Sequence, residues 1–363
     1  MVFQWYLFVL LIAVGIFSRE TGQVYQVKIA GQMETRYGWV PVMLIAIPLI
    51  YLAATRSDQI GDTYAYMVSY RNTPATLTSL LEAVESTKKD KGFTVLNVLL
   101  KIIVGNHVQV YFGVIAAICL LCVVWVYKKY SCNFLMSMFL FIASSDYIQW
   151  THNGIRQFLA VSIIFAATDW LLQKKYIRYI LLVLAASTIH ASALLMIPVC
   201  LVVQGKPWNW KMVVYLAAVL VASSFGDYMT NLIAGFMEDS QYSSEVDQFL
   251  STEGTNILRV LVFSVPPLMA LIFRKRIILA ENPVINLSVG MSIASMGMFI
   301  VASYTSGLFM GRIPIYFSLY NYILLPWIIE SVFNERSAKL IYAVVIACYL
   351  LYYFYQVSVT WGL

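Results

Sequence analysis

Long apolar runs without charged residues are the feature that most constrains this sequence. Residues 109–127 and 285–303 contain no charged side chain, and a helix that crosses a bilayer needs about 20 apolar residues. Hydrophobic residues make up 61% of the 363-residue chain and charged residues 12%, about half of what soluble domains carry. Because a backbone in lipid must satisfy its own hydrogen bonds, the sequence predicts an all-α, polytopic membrane protein.

The apolar runs predict about 11 to 12 transmembrane helices within one domain that covers residues 1–363. The first run has no basic start and no small-residue cleavage site, so we expect it to remain as a helix. The run at 179–203 fits either one tilted span or two short helices that turn near Ile189-His190-Ala191. Apart from this run, the expected spans lie at about 2–18, 38–54, 109–127, 133–149, 155–172, 212–224, 257–273, 285–303, 313–333 and 340–357.

Two long polar segments interrupt the apolar runs. The first, 55–108, contains a moderately apolar stretch at Phe93–Val104 that we interpret as an interfacial or re-entrant helix. The second, 225–256, is acidic and long enough to form a lid or platform over a site. Its Glu238 and Asp239 could bind sugar hydroxyls, although a solvated loop is the simpler explanation.

The basic residues predict an orientation. Most of the 24 Lys and Arg residues fall in six short stretches that the positive-inside rule assigns to the cytoplasm, namely 19–37, 128–132, 173–178, 204–211, 274–284 and 334–339. Both acidic segments and both chain ends then lie outside. A single span at 179–203 would invert every later loop, so the charges favour the hairpin, which places His190 near the outer face. Such loops account for the net charge of +6 without a nucleic-acid partner.

Four polar clusters map to the outer side, where ionisable groups at span ends are candidates for function. The first runs from Arg56 to Tyr66 and contains two carboxylates and a turn glycine. Arg56 could hold phosphate or carboxylate, Asp62 could accept sugar hydroxyls, and Tyr66 could stack on a sugar face. The alternative is an ordinary loop leaving the membrane beside an aromatic belt.

The second cluster is Thr151-His152-Asn153-Gly154-Ile155-Arg156-Gln157. The first turn of a helix presents unpaired N–H groups and the positive end of the helix dipole. An arginine in that turn makes an anion site, because a guanidinium can bind phosphate oxygens with two hydrogen bonds. Gly154 would let a ligand approach the backbone. The alternative is that Arg156 simply extends to the membrane interface.

The third cluster, Ser187-Thr188-Ile189-His190-Ala191-Ser192, places polar groups within an apolar stretch. His190 is a candidate base because imidazole titrates near neutral pH. A hydrogen bond between helices is the competing interpretation. The three histidines, His107, His152 and His190, are too dispersed to suggest a metal site.

The fourth cluster extends from Ser303 to Phe317. Arg312 precedes Pro314, a residue suited to the first turn of a helix, so this stretch repeats the arrangement around Arg156. One diphosphate carries enough charge for two arginines. A single interface anchor is the alternative.

These motifs together resemble a known family. Gly61-Asp62-Thr63 with Tyr66, Asn153-Gly154-Ile155-Arg156-Gln157 with Ala160, His190-Ala191-Ser192-Ala193, and Gly311-Arg312-Ile313 with Tyr316-Phe317 are similar to the EpsG-like, Wzy-type bacterial polysaccharide polymerases. The resemblance covers most of the chain, and the motifs stand in the same order.

The resemblance implies a metal-independent glycosyltransferase with a GT-C-like architecture and an outward-facing cavity. Such proteins join oligosaccharide repeat units carried on undecaprenyl diphosphate at the outer face of the bacterial cytoplasmic membrane. The implied partners are the lipid-linked oligosaccharide, membrane lipid, and the flippase and chain-length regulator of the same pathway. No cofactor other than the carrier lipid of the substrate is expected.

Roles for the candidate residues follow from this chemistry. We expect Arg156 and Arg312, with Arg56, to bind the diphosphate, and His190 or Asp62 to orient or deprotonate the attacking hydroxyl. The remaining expected substrate contacts are Asn153, Gln157, Tyr66 and Tyr316. Alternatives are a transporter or flippase of lipid-linked sugar, an O-antigen-ligase-type transferase, a sugar acyltransferase, or a non-catalytic assembly scaffold.

Overall fold

The chain is almost entirely helical in the computed structural model, which describes residues 2–29, 32–238 and 246–360. The helices of the amino-terminal half are α1 (Val2–Glu20), α2 (Trp39–Ala54), α3 (Thr63–Arg71), α4 (Leu80–Ser86), α5 (Lys91–Val104), α6 (Val108–Tyr130), α7 (Phe134–Ala143), α8 (Asp146–His152), α9 (Ile155–Ala166) and α10 (Thr168–Leu172). They are followed by α11 (Tyr176–Ile189), α12 (Met196–Val202), α13 (Trp210–Ser224), α14 (Gly226–Glu238), α15 (Val246–Ser251), α16 (Ile257–Ile272), α17 (Arg274–Ala280), α18 (Pro283–Ser303), α19 (Ile315–Ser318), α20 (Asn321–Val332) and α21 (Glu335–Tyr355). Short 3-10 helices cover Ala191–Leu195 and Met310–Arg312, and a π-helical turn covers Gln356–Thr360.

A two-stranded antiparallel sheet corrects the all-α expectation within the first basic loop. Strands β1 (Val24–Ile29) and β2 (Gln32–Tyr37) pair with Val24 opposite Tyr37. The alternation of apolar and polar residues in β1 suits a strand with one packed face, and the membrane-loop interpretation overlooked it. The buried Arg36 fixes the hairpin to the body, because its Nη1 donates to the carbonyl of Ser131 at 2.6 Å.

Asparagine side chains begin several of the helices on the basic side of the chain. Asn133, Asn209, Asn282 and Asn334 each accept hydrogen bonds from backbone N–H groups of α7, α13, α18 and α21 respectively. An N-cap of this kind contributes about 1 kcal/mol by satisfying N–H groups that have no partner within the helix. The short loops therefore define where these apolar helices start.

Contacts divide the loops into two groups. Lys129 pairs with Asp169, Asn133 donates to Glu330 at 2.9 Å, and Arg36 binds Ser131. Arg36, Lys129 and Ser131 belong to the basic stretches 19–37 and 128–132, and Asp169, Asn133 and Glu330 lie within a few residues of such stretches. A second group of contacts joins the loops before α3, α9 and α19: Asn153 contacts Asp62, and Gln157 donates to the Arg312 carbonyl.

The run at 179–203 is broken at His190. Helix α11 ends there in an extended conformation, and the chain continues through the 3-10 turn into α12. The Gln204 amide nitrogen then donates to the carbonyl of Leu171 at 3.3 Å. The chain thus returns to the level at which α11 began, which is the geometry of the predicted hairpin and not that of one continuous span.

Three helices in the described part of the chain are long and apolar enough to cross a membrane, Val108–Tyr130, Pro283–Ser303 and Glu335–Val359. The number rises to five if the bent pairs α13–α14 and α16–α17 each form one span. Other predicted runs contain shorter apolar helices, because the chain breaks within them; the run 133–149, for example, divides at Ser145, whose φ is +69°. The membrane character is clear, and the count of 11 to 12 spans stays a prediction.

The polar segment 55–108 folds as α3, α4 and α5. The stretch predicted to be interfacial or re-entrant is α5, and it packs on the protein along α11. The contact is close at Gly92, where an added Cβ would lie 2.8 Å from the Thr188 Cβ. On another face of α5, the Tyr111 hydroxyl of α6 donates to Asn97 Oδ1 at 3.1 Å.

Candidate functional site

The turn between α8 and α9 is the centre of the candidate site. Gly154 adopts φ +78°, a conformation that side chains rarely allow, and a Cβ there would lie 3.3 Å from the ring of Trp150. This turn starts α9 with Arg156 and Gln157 in its first turn. The predicted pairing of a glycine turn with an arginine at a helix start is therefore present.

The loop before α3 packs directly on this turn. Gly61 has φ +57°, and a Cβ at this position would lie 3.1 Å from the carbonyl oxygen of His152. With its amide nitrogen turned toward Asp62, Asn153 donates to both carboxylate oxygens, at 3.2 Å for Oδ1, and its oxygen accepts from Gln149. The amide orientation follows from this network. Asp62 and Asn153, predicted from separate clusters, are thus neighbours.

Arg156 forms an ion pair that the sequence did not suggest. Its Nη1 lies 2.9 Å from Asp90 Oδ2, and the Asp90 side chain is 3% exposed whereas that of Arg156 is 32% exposed. The guanidinium carbon also lies 5.9 Å from the centre of the Tyr66 ring, within the range of a cation–π contact. Asp90 and Tyr66 therefore position a guanidinium that remains accessible.

Gln157 connects α9 to the segment that carries Arg312. The buried Gln157 side chain donates from Nε2 to the Arg312 carbonyl at 2.9 Å. Two adjacent residues of α9 thus differ in their contacts. Arg156 is partly exposed, whereas the buried Gln157 binds the backbone of Arg312.

A chain of hydrogen bonds connects His190 to Tyr316. The Nδ1 of His190 lies 2.7 Å from the Ser192 hydroxyl, which lies 3.0 Å from the Tyr316 hydroxyl. This contact fixes the imidazole through Nδ1, so Nε2 is the nitrogen that can serve a ligand. The break after α11 and the buried helix α19 together orient the histidine.

These groups converge on one space, here called the central cavity, of about 530 Å³. Its polar wall contains Asp62, Lys89, Asp90, Arg156, Gln157, His190, Ser192 and Arg312. Its apolar wall contains Ile233, Met237, Phe249, Leu308, Phe309 and Ile313. A cavity with three cationic side chains beside an apolar surface suits an anionic group attached to a hydrocarbon chain.

The polar wall is shared with a second space of about 540 Å³, here called the junction cavity. Asp62, Lys89, Asp90 and Arg156 line both cavities. Besides these four residues, the junction cavity is lined by Lys88 and Ala65 and by the rings, hydroxyls and amide of Tyr66, Ser69, Thr87, Phe93, Thr94 and Asn97. A ligand bound at Arg156 therefore has access to both spaces.

The sequence model of the EpsG family matches residues 39–361. This chain belongs to the EpsG family. The match begins with α2 and includes all four polar clusters, so the resemblance that the motifs suggested is confirmed. No curated protein and no solved structure matches the chain. Membership together with the apolar helices indicates a membrane protein of the polysaccharide-polymerase type.

The EpsG-family chain brings most of the predicted residues together. The central cavity contains Asp62, Arg156, Gln157, His190 and Arg312 in its wall. Asn153, Tyr66 and Tyr316 each contact one of these residues or the serine beside His190. The hairpin at His190 makes this convergence possible, because it brings the histidine to the end of the molecule where α3 and α9 begin.

Arg56 lies apart from this group. It donates to the carbonyl of Thr151, and its guanidinium carbon lies 3.8 Å from the centre of the Phe112 ring. Burial lowers the pKa of Arg56 to about 10, so the side chain stays cationic at neutral pH. It lines a different cavity, beside Arg71 and His107. Arg56 therefore stabilises the turn that precedes Arg156, and it does not line the central cavity.

Two residues of the EpsG-family site were missed. Lys89 and Asp90 stand in the charged run Lys88-Lys89-Asp90-Lys91, which reads as a solvated loop. The available signal was a charged stretch directly before the amphipathic helix α5. Asp90 adopts φ +57°, a conformation that Asp tolerates better than most residues.

Helices α14 and α15 contribute part of the apolar wall of the central cavity. Ile233 and Met237 of α14 and Phe249 of α15 line the cavity, and Phe249 packs against Phe309 with ring centres 5.8 Å apart. The role of this segment as a lid or platform stays a prediction. The side chain of Glu238 and all of Asp239 lie outside the described residues.

Proposed function

We propose that this EpsG-family chain is a glycosyltransferase that lengthens polysaccharide from lipid-linked repeat units. The substrates are oligosaccharides on undecaprenyl diphosphate, and the reaction takes place at the outer face of the bacterial cytoplasmic membrane, where a flippase delivers units and a chain-length regulator acts on the product. The observation that supports this proposal best is the central cavity, in which Arg156, Arg312 and Lys89 face an apolar wall.

The cations have a direct task in this reaction. When the glycosidic bond to phosphate breaks, negative charge develops on the diphosphate oxygen that leaves with the carrier lipid. Hydrogen-bond donors that the protein holds fixed at that position stabilise this charge better than water molecules do. Each such donor lowers the activation free energy by about 3 kcal/mol. Arg156 and Arg312 can each bind phosphate oxygens through two N–H groups, and Lys89 adds a point charge.

The acceptor hydroxyl requires a base. Its oxygen bonds to the anomeric carbon of the growing chain, the bond from that carbon to the phosphate oxygen breaks, and the hydroxyl proton moves to a protein group. His190 and Asp62 both line the central cavity. Asp62 also lines the junction cavity, and the Nε2 of His190 is the imidazole nitrogen opposite the Ser192 contact. Either group can take the proton, and the pH dependence of their variants separates them.

The decisive experiment uses the natural substrate without identifying its sugars. Cells that lack this chain are expected to accumulate the unpolymerised lipid-linked unit, which can be extracted with solvent and mixed with the purified chain in detergent micelles. We expect a ladder of longer lipid-linked glycans, and EDTA is expected to leave it unchanged because no metal is proposed. Detergent removes the bilayer, so a transporter would leave the unit unlengthened.

Arginine variants test the assigned chemistry. Arg156→Ala is expected to abolish the ladder, and Arg156→Lys to reduce the rate by about 100-fold because the fork geometry of the guanidinium is lost. Arg178→Ala is the matched control, since Arg178 is exposed on α11 and lies in a stretch of the basic side. A wild-type ladder from correctly folded Arg156→Ala would refute the role of Arg156.

A further inference from the structure

A third space continues from the junction cavity toward α4. This space, here called the hydroxyl groove, has a volume of about 450 Å³. Ser69, Thr87, Thr94 and Asn97 line both the groove and the junction cavity. Together with the four residues common to the first two cavities, they make one continuous corridor from the apolar wall, past Arg156, to α4.

The chemistry of the lining changes along this corridor. The central cavity contains cations and hydrocarbon, and the junction cavity contains charges, rings and hydroxyls. Within the described residues, the lining of the hydroxyl groove carries a single charged side chain, Glu82, and the rest is dominated by Ser, Thr and Asn. Such a surface offers no cation for phosphate and little apolar area for a lipid chain. It offers many groups that both donate and accept hydrogen bonds, as sugar hydroxyls require.

Hydrogen bonds hold the lining in place before any ligand binds. The Thr94 hydroxyl donates to Thr87 Oγ1 at 3.2 Å, and the Thr87 hydroxyl donates to the carbonyl of Ala83 at 2.7 Å. The amide oxygen of Asn97 accepts from Tyr111 at 3.1 Å. A preorganised polar surface binds more tightly than a mobile one because less side-chain freedom is lost on binding.

We infer that the hydroxyl groove binds the saccharide chain of the substrate, an inference that rests on the proposed function. The carrier lipid lies on the apolar wall, the diphosphate lies between Arg156 and Arg312, and the glycan runs through the junction cavity into the groove. The order follows from the covalent order of the substrate, in which the diphosphate joins the lipid to the first sugar. The groove thus binds neutral, hydroxyl-rich ligand and supplies affinity that does not depend on the diphosphate.

The test measures binding of glycan that carries no lipid and no phosphate. Mild acid releases the oligosaccharide from the lipid-linked unit, and its Kd for the full-length chain in detergent is measured by calorimetry. Ser86→Trp places a bulky side chain at an exposed lining position at the end of α4. We expect it to weaken oligosaccharide binding by about tenfold or more, since ligand and side chain compete for one space.

Leu81→Trp is the matched control. Leu81 lies on the same helix, is 73% exposed and does not line the groove, so its Kd is expected to equal that of the wild type. Equal Kd values for all three proteins, or no binding to the wild type, would overturn the inference. Failure of the inference is separable from failure of the proposed function, because lengthening of the lipid-linked unit by the wild type is scored in a different assay.

Discussion

At the scale of single residues, the ion pair between Arg156 and Asp90 orients the Arg156 guanidinium in the central cavity. The carboxylate is buried and the guanidinium is partly accessible. A buried carboxylate on one side of an arginine restricts the rotamers of that arginine, and the guanidinium here stays partly accessible. Asp90 is therefore a positioning residue that acts through Arg156.

The variant Asp90→Asn isolates this charge. Asn tolerates the φ of +57° at this position, so the backbone should remain as it is while the carboxylate is lost. We expect kcat/KM for lengthening to fall by about tenfold, equivalent to roughly 1.4 kcal/mol of transition-state stabilisation. Steady-state kinetics on the extracted lipid-linked unit measure the effect, and unchanged kinetics would refute the positioning role.

Glycine positions provide a second test at this scale. Gly61→Ala should cost about 1–2 kcal/mol from the positive φ and should also displace the loop, because its Cβ would lie 3.1 Å from the carbonyl of His152. Gly22 has a similar φ, +65°, with open space around it, so Gly22→Ala reports the backbone strain without a clash. We expect both variants to lower the melting temperature and Gly61→Ala to lose far more activity. Equal activity loss would show that the loop contact does not matter.

Sequence reasoning selected residues that stand out against an apolar background, and the structure places three of them in the wall of one cavity. Arg156, His190 and Arg312 are conspicuous because charge and imidazole are costly near lipid. Lys89 and Asp90 are inconspicuous because they belong to a charged run in which only the tertiary pairing distinguishes one carboxylate. Arg56 was as conspicuous as Arg156, yet the fold places it against Thr151 and Phe112. A charged residue beside an apolar run indicates that a binding partner exists, but the sequence does not show whether that partner is a ligand or another part of the chain.

At the scale of elements, the packing of α5 against α11 decides where the site lies. Helix α5 begins directly after Asp90, and α11 ends at His190, so their contact fixes the distance between the carboxylate that holds Arg156 and the candidate base. The sequence predicted a helical stretch at Phe93–Val104 and an interruption at His190. The sequence did not predict that α5 and α11 are in contact, because the contact depends on Gly92, whose closeness to Thr188 is visible only in the structure.

Enlarging this contact should separate the two helices. In Gly92→Val the side chain would meet Thr188, since even a Cβ would lie 2.8 Å from the Thr188 Cβ, and such overpacking costs about 1–3 kcal/mol. We expect a lower melting temperature in detergent, read by scanning fluorimetry, together with weaker lengthening. Gly235→Ala is the control, because a Cβ on this α14 glycine meets nothing within 4 Å. A melting temperature for Gly92→Val at or above that of the wild type would contradict the close contact.

At the scale of the whole molecule, the loops form two groups with opposite character. The basic group is tied together by contacts such as Lys129 with Asp169, and the candidate site lies in the other group. Counting Lys and Arg groups these loops by composition alone, and the side of the membrane that each group faces stays a prediction. The individual spans were harder to predict, since breaks at Ser145 and His190 divide runs that look continuous by hydropathy.

Cysteine labelling tests the orientation of the whole chain. We expect a membrane-impermeant maleimide to label Ser86→Cys in intact cells and to label Lys206→Cys only after the membrane is permeabilised, since both positions are exposed and lie in opposite loop groups. The parent chain, with its five native cysteines, provides the background signal. The reverse pattern would place the central cavity on the cytoplasmic side.

The bond from Gln157 to the Arg312 carbonyl has a mechanical consequence. Arg156 and Gln157 are consecutive on α9, so this bond ties the backbone of Arg312 to the helix that carries Arg156. The opposite wall is built differently, because Ala234, Val246 and Phe249 form a small apolar cluster separate from the main core and pack beside Phe309 and Met310. The wall that carries Arg156 and Arg312 is thus joined across two elements, whereas the wall formed by α14 and α15 packs apart from the main core.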